Sequence, residues 1–144
     1  MKCVIQRVLE ASVTVDQVQI NRIDHGLLVY VGFHKNDAID KIDQAVKKII
    51  QLRIFEDEFG KMNLSIDKNM SSILLISQFT LYGNAMNSNR PSFSEAMPYE
   101  KAKSYYHLFL DKLNEHIHTK SGEFGSHMKI SSINDGPVTI ILDL

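Results

Sequence analysis

Ser72-Ile73-Leu74-Leu75-Ile76-Ser77-Gln78-Phe79-Thr80-Leu81 is the strongest strand signal in this chain. After Ser72 it has four consecutive apolar residues, and it turns polar towards its end. A second run, Gly26-Leu27-Leu28-Val29-Tyr30-Val31-Gly32-Phe33, is apolar at both parities. Such runs suit strands covered on both faces, so something must pack on each side of the sheet that holds them. Two amphipathic helices supply cover. One is predicted after Asn36 or Asp37 as N-cap, with Ile39, Ile42, Val46, Ile49 and Ile50 at three- and four-residue steps. The other starts at Pro98, which suits a first helical turn, and carries the stripe Tyr99, Ala102, Tyr106, Phe109, Leu110, Leu113, Ile117.

Working outward, residues 2–8 and 10–16 read as two strands, because β-branched residues are dense and Val13 and Val15 alternate with Thr14 and Asp16. A third short strand runs from Val18 to Ile23. Arg53 to Glu56 reads as a short strand, Asp57 to Lys61 as a turn, and Met62 to Asp67 as an edge segment. Residues 83–97 form the longest expected loop. Two C-terminal strands, 124–133 and 137–143, are expected to flank a turn at Asn134-Asp135-Gly136-Pro137. Gly125-Ser126-His127-Met128 looks like the remnant of a cleaved affinity tag, but it lies inside the chain and reads as native sequence.

Composition narrows the function. A chain of 144 residues, 44% hydrophobic and 23% charged, fits one globular domain. No apolar run approaches the roughly 20 residues of a membrane helix. The N-terminus carries no secretory pattern, and the lone Cys3 excludes an internal disulfide. A cytoplasmic location follows as the expectation. A net charge of −1 argues against tracking a long nucleic-acid duplex, though not against holding one end of an RNA.

The residues alone leave the chemistry open. Ser77 and Thr80 end a buried strand, but no Gly-x-Ser-x-Gly elbow or marked base accompanies them. Six histidines are present without a His-x-x-x-His pair and nearby carboxylates, so no metal site is read. Glu56, Asp57 and Glu58 read as a solvated charge run. Two features resist a purely structural reading. One is the polar tip Ser77-Gln78-Phe79-Thr80-Leu81. The other is Gly136-Pro137, where proline removes a donor and glycine lets the backbone approach a ligand. Pattern reasoning ends at an α/β domain with a polar strand end.

Those two segments resemble the Ser-Gln-Phe-Thr-Leu and Asn-x-Gly-Pro-x-Thr motifs of D-aminoacyl-tRNA deacylases. Ile5-Gln6-Arg7-Val8, Leu52-Arg53-Ile54-Phe55, Lys61-Met62-Asn63-Leu64, Arg90-Pro91-Ser92-Phe93 and Phe124-Gly125 with Met128 are also similar to that family, in the same order, from Met1 to Leu144. The resemblance implies an α/β fold in a single domain, 1–144: curved, mostly antiparallel, barrel-like β-sheets with two main helices packed on them, layered α/β/β. It implies a homodimer that hydrolyses the ester of D-aminoacyl-tRNA, or of glycyl-tRNA mischarged on tRNA(Ala), at the 3′-terminal adenosine. It implies no metal or organic cofactor and no membrane.

It further implies roles for single residues. Backbone N–H groups at Phe79 and Thr80 would stabilise the oxyanion, with the substrate's ribose 2′-hydroxyl helping to activate water. The rival is a Thr80 side chain acting as nucleophile. Ser77 and Gln78 would shape the pocket, and Phe124 and Met128 would pack on the adenine. Gly136-Pro137 would be cis, reach into the partner subunit's pocket, and reject L-residues by clash with its two carbonyls. Arg7 would fix that carbonyl pair, and Asn134 belongs to the same motif as support. A non-catalytic dimeric module for RNA ends is the second rival. Two stretches depart from common family usage. Ser126-His127 stands where Ala-Asp is frequent, and residues 84–89 lack a frequent lysine. Both fall in stretches that the resemblance implies face the tRNA, and so bear on tRNA preference rather than on the reaction.

Overall fold

The computed structural model describes residues 1–86 and 88–144; Asn87, within the 84–89 stretch read above, lies outside the described residues. Its centre is β1 (Lys2–Val15). Along one edge β1 pairs antiparallel with β3 (Gly26–Gly32) and then with β2 (Val18–Ile23). Asp16 and Gln17, both at positive φ, turn the chain between β1 and β2. Along its other edge β1 pairs antiparallel with β8 (Lys129–Asp143). Strand β6 (Ser72–Ser77) joins β3 in parallel, and β7 (Thr119–Ser121) joins β6 in parallel. The mixed sheet thus runs β2-β1-β3-β6-β7 with β8 off that path, and it curls so that β2 also approaches β6 and β7. Strands β4 (Phe55–Glu56) and β5 (Met62–Leu64) form a separate small hairpin. Helices α1 (Asp40–Gln51) and α2 (Tyr99–Asn114) pack on one face.

The both-parity runs in β3 and β6 are explained by two cores. Leu27, Val29, Val31, Ile73 and Leu75 join the helix-side cluster with Ile42, Ile49, Phe109 and Leu113. Leu28, Leu74 and Ile76 point the other way, into a second cluster inside the curl with Val8, Val13 and Ile23. Strand β1 serves both. Met1, Cys3 and Ile5 face the helices, whereas Val8, Ala11 and Val13 face the curl. Odd positions therefore change sides after Ile5. The flip coincides with register shifts between Gln6 and Val8 and between Val8 and Glu10, because an irregular residue reverses every side chain beyond it.

Several expectations are corrected. Residues 2–15 are one strand with an irregularity, not two strands, and Asp16 belongs to the turn. Residues 129–143 are likewise continuous, and Asn134–Pro137 does not reverse the chain. Instead, residues 135–138 bulge out opposite Arg7, between the pairs Val8↔Asn134 and Gln6↔Thr139. Strand β6 stops at Ser77 rather than Leu81. Its partner β3 ends at Gly32, so the ladder closes with Gln78 N–H on Val31 O at 2.7 Å. Phe79–Tyr82 then forms a 3-10 turn. Residues 124–128 are loop, and the polar strand β7 was not anticipated. Helix α1 takes Ile39, not Asn36 or Asp37, as N-cap, without a side-chain cap. Asp37 is used elsewhere. It is buried, 2.8 Å from the Met1 ammonium, and accepts from His34 N–H and Lys41 Nζ. Burial pushes its carboxyl up, but those donors outweigh burial and hold it below the usual aspartate value. The Cys3 thiol, buried in the sheet, is pushed up to about 12. No helix among the described residues is long and apolar enough to cross a membrane.

Candidate active site

A cleft of about 550 Å³ opens where β6 ends. Its floor is Ile76, Ser77, Gln78 and Phe79, and the loop between β7 and β8 forms a wall with Phe124 and Met128. Five of the residues singled out from sequence thus meet in one place: Ser77, Gln78, Phe79, Phe124 and Met128. Thr80 follows immediately in the 3-10 turn and is exposed.

The turn leaves donors open. Residues beginning a 3-10 turn have no partner within it for their N–H groups. Among the described residues, neither Phe79 N–H nor Thr80 N–H donates to any group, while Gln78 N–H, Leu81 N–H and Gly83 N–H are all bonded. Two adjacent main-chain donors at a cleft can hold an oxyanion. The Thr80 hydroxyl accepts a hydrogen bond from Gln78 Nε2. Among the described residues no histidine or carboxylate contacts it.

The wall is aromatic. Tyr106 is buried and its hydroxyl donates to Leu75 O at 2.7 Å, fixing α2 to β6. The Phe124 ring lies 5.4 Å from that of Tyr106 and makes a T-shaped contact with Tyr99 at 5.3 Å. Gly125, at φ +83, makes this possible, since a Cβ there would sit 2.5 Å from Tyr99 Oη. Phe79 remains 57% exposed, edge-on to Phe93. Tyr99 was read from sequence only as part of the α2 stripe. It is 55% exposed and lines the cleft. Its position as the first helical residue was the available signal. Ser126 and His127 also line the cleft, so one of the two departures touches the site.

Gly136 and Pro137 do not line this cleft. The peptide between them is cis, and Gly136 has φ +122, a conformation L-residues rarely adopt. Asn134 clamps the base of the bulge: its Oδ1 accepts from Val138 N–H at 2.9 Å and its Nδ2 donates to Thr139 Oγ1 at 3.2 Å. Arg7, only 4% exposed, lies beneath the bulge. It donates to Ile54 O at 2.8 Å and to Glu56 Oε1 at 3.3 Å. Its Nε is 2.9 Å from Asp135 Oδ2, an ion-pair distance, although the N–H is not aligned on that oxygen. The resemblance implies that Arg7 fixes the Gly136 and Pro137 carbonyls; the polar contacts of its guanidinium in the structure run to Ile54 O, Glu56 and Asp135, the residue before Gly136. Glu56, read as solvated charge, is one of its partners.

Residues 4–143 match the D-Tyr-tRNA(Tyr) deacylase family model. This chain belongs to that family. It is 48% identical over 143 residues to the D-aminoacyl-tRNA deacylase of Kosmotoga olearia, covering 99% of this chain and 97% of that protein. It is 48% identical over 144 residues to the same-named protein of Finegoldia magna, with the same coverage. Among solved structures, the "c-Myc DNA Unwinding Element Binding Protein" superposes with a TM-score of 0.94 at 42% identity, covering 100% of this chain and 99% of that one. A "probable eukaryotic D-amino acid tRNA deacylase" superposes at 0.85 with 16% identity over 99% and 98%, a likeness of fold. The family's fold, with two helices on a mixed, barrel-like sheet, is the one described above.

Proposed function

We propose that this chain clears D-aminoacyl-tRNA by hydrolysing the ester between the D-amino acid and the 3′-terminal adenosine. Deacylation of D-aminoacyl-tRNA as such follows from membership of the family. The observation that carries the mechanism is the pair of N–H groups, unpartnered among the described residues, at Phe79 on the floor of an aromatic-walled cleft and at Thr80 next to it. Water adds to the ester carbonyl carbon, and the negative charge that develops on the carbonyl oxygen is held by the two N–H groups. The carbon–oxygen bond to the ribose then breaks. The ribose oxygen leaves with a proton from the attacking water, passed by the substrate's neighbouring 2′-hydroxyl. The products are free D-amino acid and tRNA.

The adenosine packs against Phe124 and Met128, with Ser77 and Gln78 shaping the amino-acid end. Among the described residues no base is hydrogen-bonded to Thr80, and its hydroxyl accepts from Gln78, which favours main-chain catalysis over a Thr80 nucleophile. Selectivity comes from a second copy of the chain. Gly136 and Pro137 project from β8 rather than lining their own cleft, and β8 has an open edge bearing exposed Ile133 and Ile141. A long unpaired edge with apolar side chains suits pairing with another protomer. In the partner's cleft the Gly136 and Pro137 carbonyls would meet the Cβ of an L-residue and reject it. Glycine has no Cβ and is accepted, which extends the substrates to glycyl-tRNA mischarged on tRNA(Ala). A cytoplasmic site of action completes the proposal. A structural relative is named for binding a DNA element, but a net charge of −1 and a small aromatic cleft favour one nucleotide end over a duplex.

Incubation with D- and L-tyrosyl-tRNA tests this. D-ester hydrolysis well above a buffer control, with L-ester spared, is the expected result; D-ester as long-lived as in buffer would leave only an RNA-end binding module. Thr80→Ala should keep turnover within about tenfold of wild type, whereas loss of a true nucleophile costs more than about a thousandfold.

A further inference from the structure

We infer that Asp135 and Glu56 are positioning residues: through the Arg7 guanidinium they fix the direction of the Gly136 carbonyl and so set how strictly L-substrates are rejected. This rests on the reading above. Arg7 is a buried cation, and such a group persists only with counter-charges close by. Its two carboxylates come from different elements. Glu56 lies on β4 at 3.3 Å from Nη2, and Asp135 lies on the β8 bulge at 2.9 Å from Nε. The third contact, Ile54 O at 2.8 Å, anchors the guanidinium to the approach to β4. The bulge is therefore tied to the β4–β5 hairpin through one planar group.

Asp135 immediately precedes Gly136, so a pull on its carboxylate reaches the Gly136 carbonyl across a single peptide unit. The absent side chain at Gly136 makes the contact possible, since a Cβ there would lie 3.2 Å from Arg7 Nη2 and 2.7 Å from Val138 Cγ2. From the other side Asn134 holds Val138 N–H at 2.9 Å. The segment is thus gripped at Asp135 and at Val138, and only Gly136 and Pro137 between them are left to project. Glu56 is 57% exposed in its side chain against 33% for Asp135, so solvent weakens its hold more. Asp135 is the stronger determinant.

The test compares Asp135→Asn, Asp135→Glu and Glu56→Gln with wild type, reading kcat and KM separately for D- and L-tyrosyl-tRNA. Asp135→Asn should lower the D-over-L ratio of kcat/KM by about tenfold, through faster L-hydrolysis with KM for the D-substrate unchanged. Glu56→Gln should lower it by about threefold. Asp135→Glu, which keeps the charge, should stay near wild type. A merely structural role would depress both substrates alike and leave the ratio untouched; that result in Glu56→Gln and in Asp135→Asn overturns the inference. Should Asp135→Asn fail to fold, the Glu56→Gln ratio decides alone. A wild type without D-selective turnover would instead remove the catalytic reading, and this inference with it.

Discussion

The tip of β6 and the bulge of β8 are both breaks in long strands, yet they do opposite things. At Ser77–Tyr82 the strand ends because its neighbour ends, and the chain curls into a turn that leaves two amides unbonded beside its own cleft. At Asp135–Val138 the strand continues, and four residues are pushed out where their own protomer offers them no cleft. The first region is the one to which the proposed function assigns the chemistry. The second carries a left-handed glycine between residues held by Arg7 and Asn134, and among the described residues Gly136 and Pro137 do not line the cleft of their own chain. The difference suggests a site divided between two copies, with catalysis in one and stereochemical choice in the other.

Two substitutions sharpen that contrast, each expected to damage one property and spare the other. The larger effect belongs to Phe79→Pro, which deletes one of the two open N–H groups. Gln78 before it, at φ −146 and ψ 80, already lies outside the helical region that a following proline disfavours. Removal of one such donor should lower kcat for D-tyrosyl-tRNA by about 10²–10³, without raising L-turnover. Steady-state kinetics on both substrates checks this, and an unaltered kcat would break the assignment of the turn. Gly136→Ala should do the reverse. With φ at +122 and Val138 Cγ2 at 2.7 Å, the added Cβ must displace the segment. L-tyrosyl-tRNA hydrolysis should rise by about tenfold to a hundredfold while D-hydrolysis persists. A variant as selective as wild type would remove the bulge from the account.

The same two regions show what could be read from sequence. The run Ile73–Ile76 and the helix faces were legible because burial leaves a periodic trace. The β1 and β8 irregularities were not, because a bulge and a turn use the same residues. The break between residues 2–8 and 10–16 and the turn at Asn134–Pro137 are read as interruptions until a partner strand is seen to run past them. Strand β7 was invisible, being Thr119-Lys120-Ser121 with no apolar alternation. Within the site, Ser77, Gln78, Phe79, Phe124 and Met128 were legible as a polar strand end and by resemblance. Tyr99 was missed because it falls in the apolar stripe of α2 and so reads as core, with only its place at the head of the helix to set it apart. The Arg7–Asp135 and Arg7–Glu56 pairs were hidden because charge partners distant in sequence leave no local pattern.

Mixing the two variants in one dimer asks most directly whether catalysis and selection come from different protomers. Gly136→Ala protomers are unfolded and refolded together with an excess of Phe79→Pro protomers, and hydrolysis of both tyrosyl-tRNA isomers is measured per Gly136→Ala protomer. If the bulge acts across the interface, each intact catalytic turn now faces an intact bulge from its neighbour, so L-hydrolysis collapses while D-hydrolysis continues. L-hydrolysis undiminished by the excess would mean that each chain selects for itself, and the divided site would be wrong.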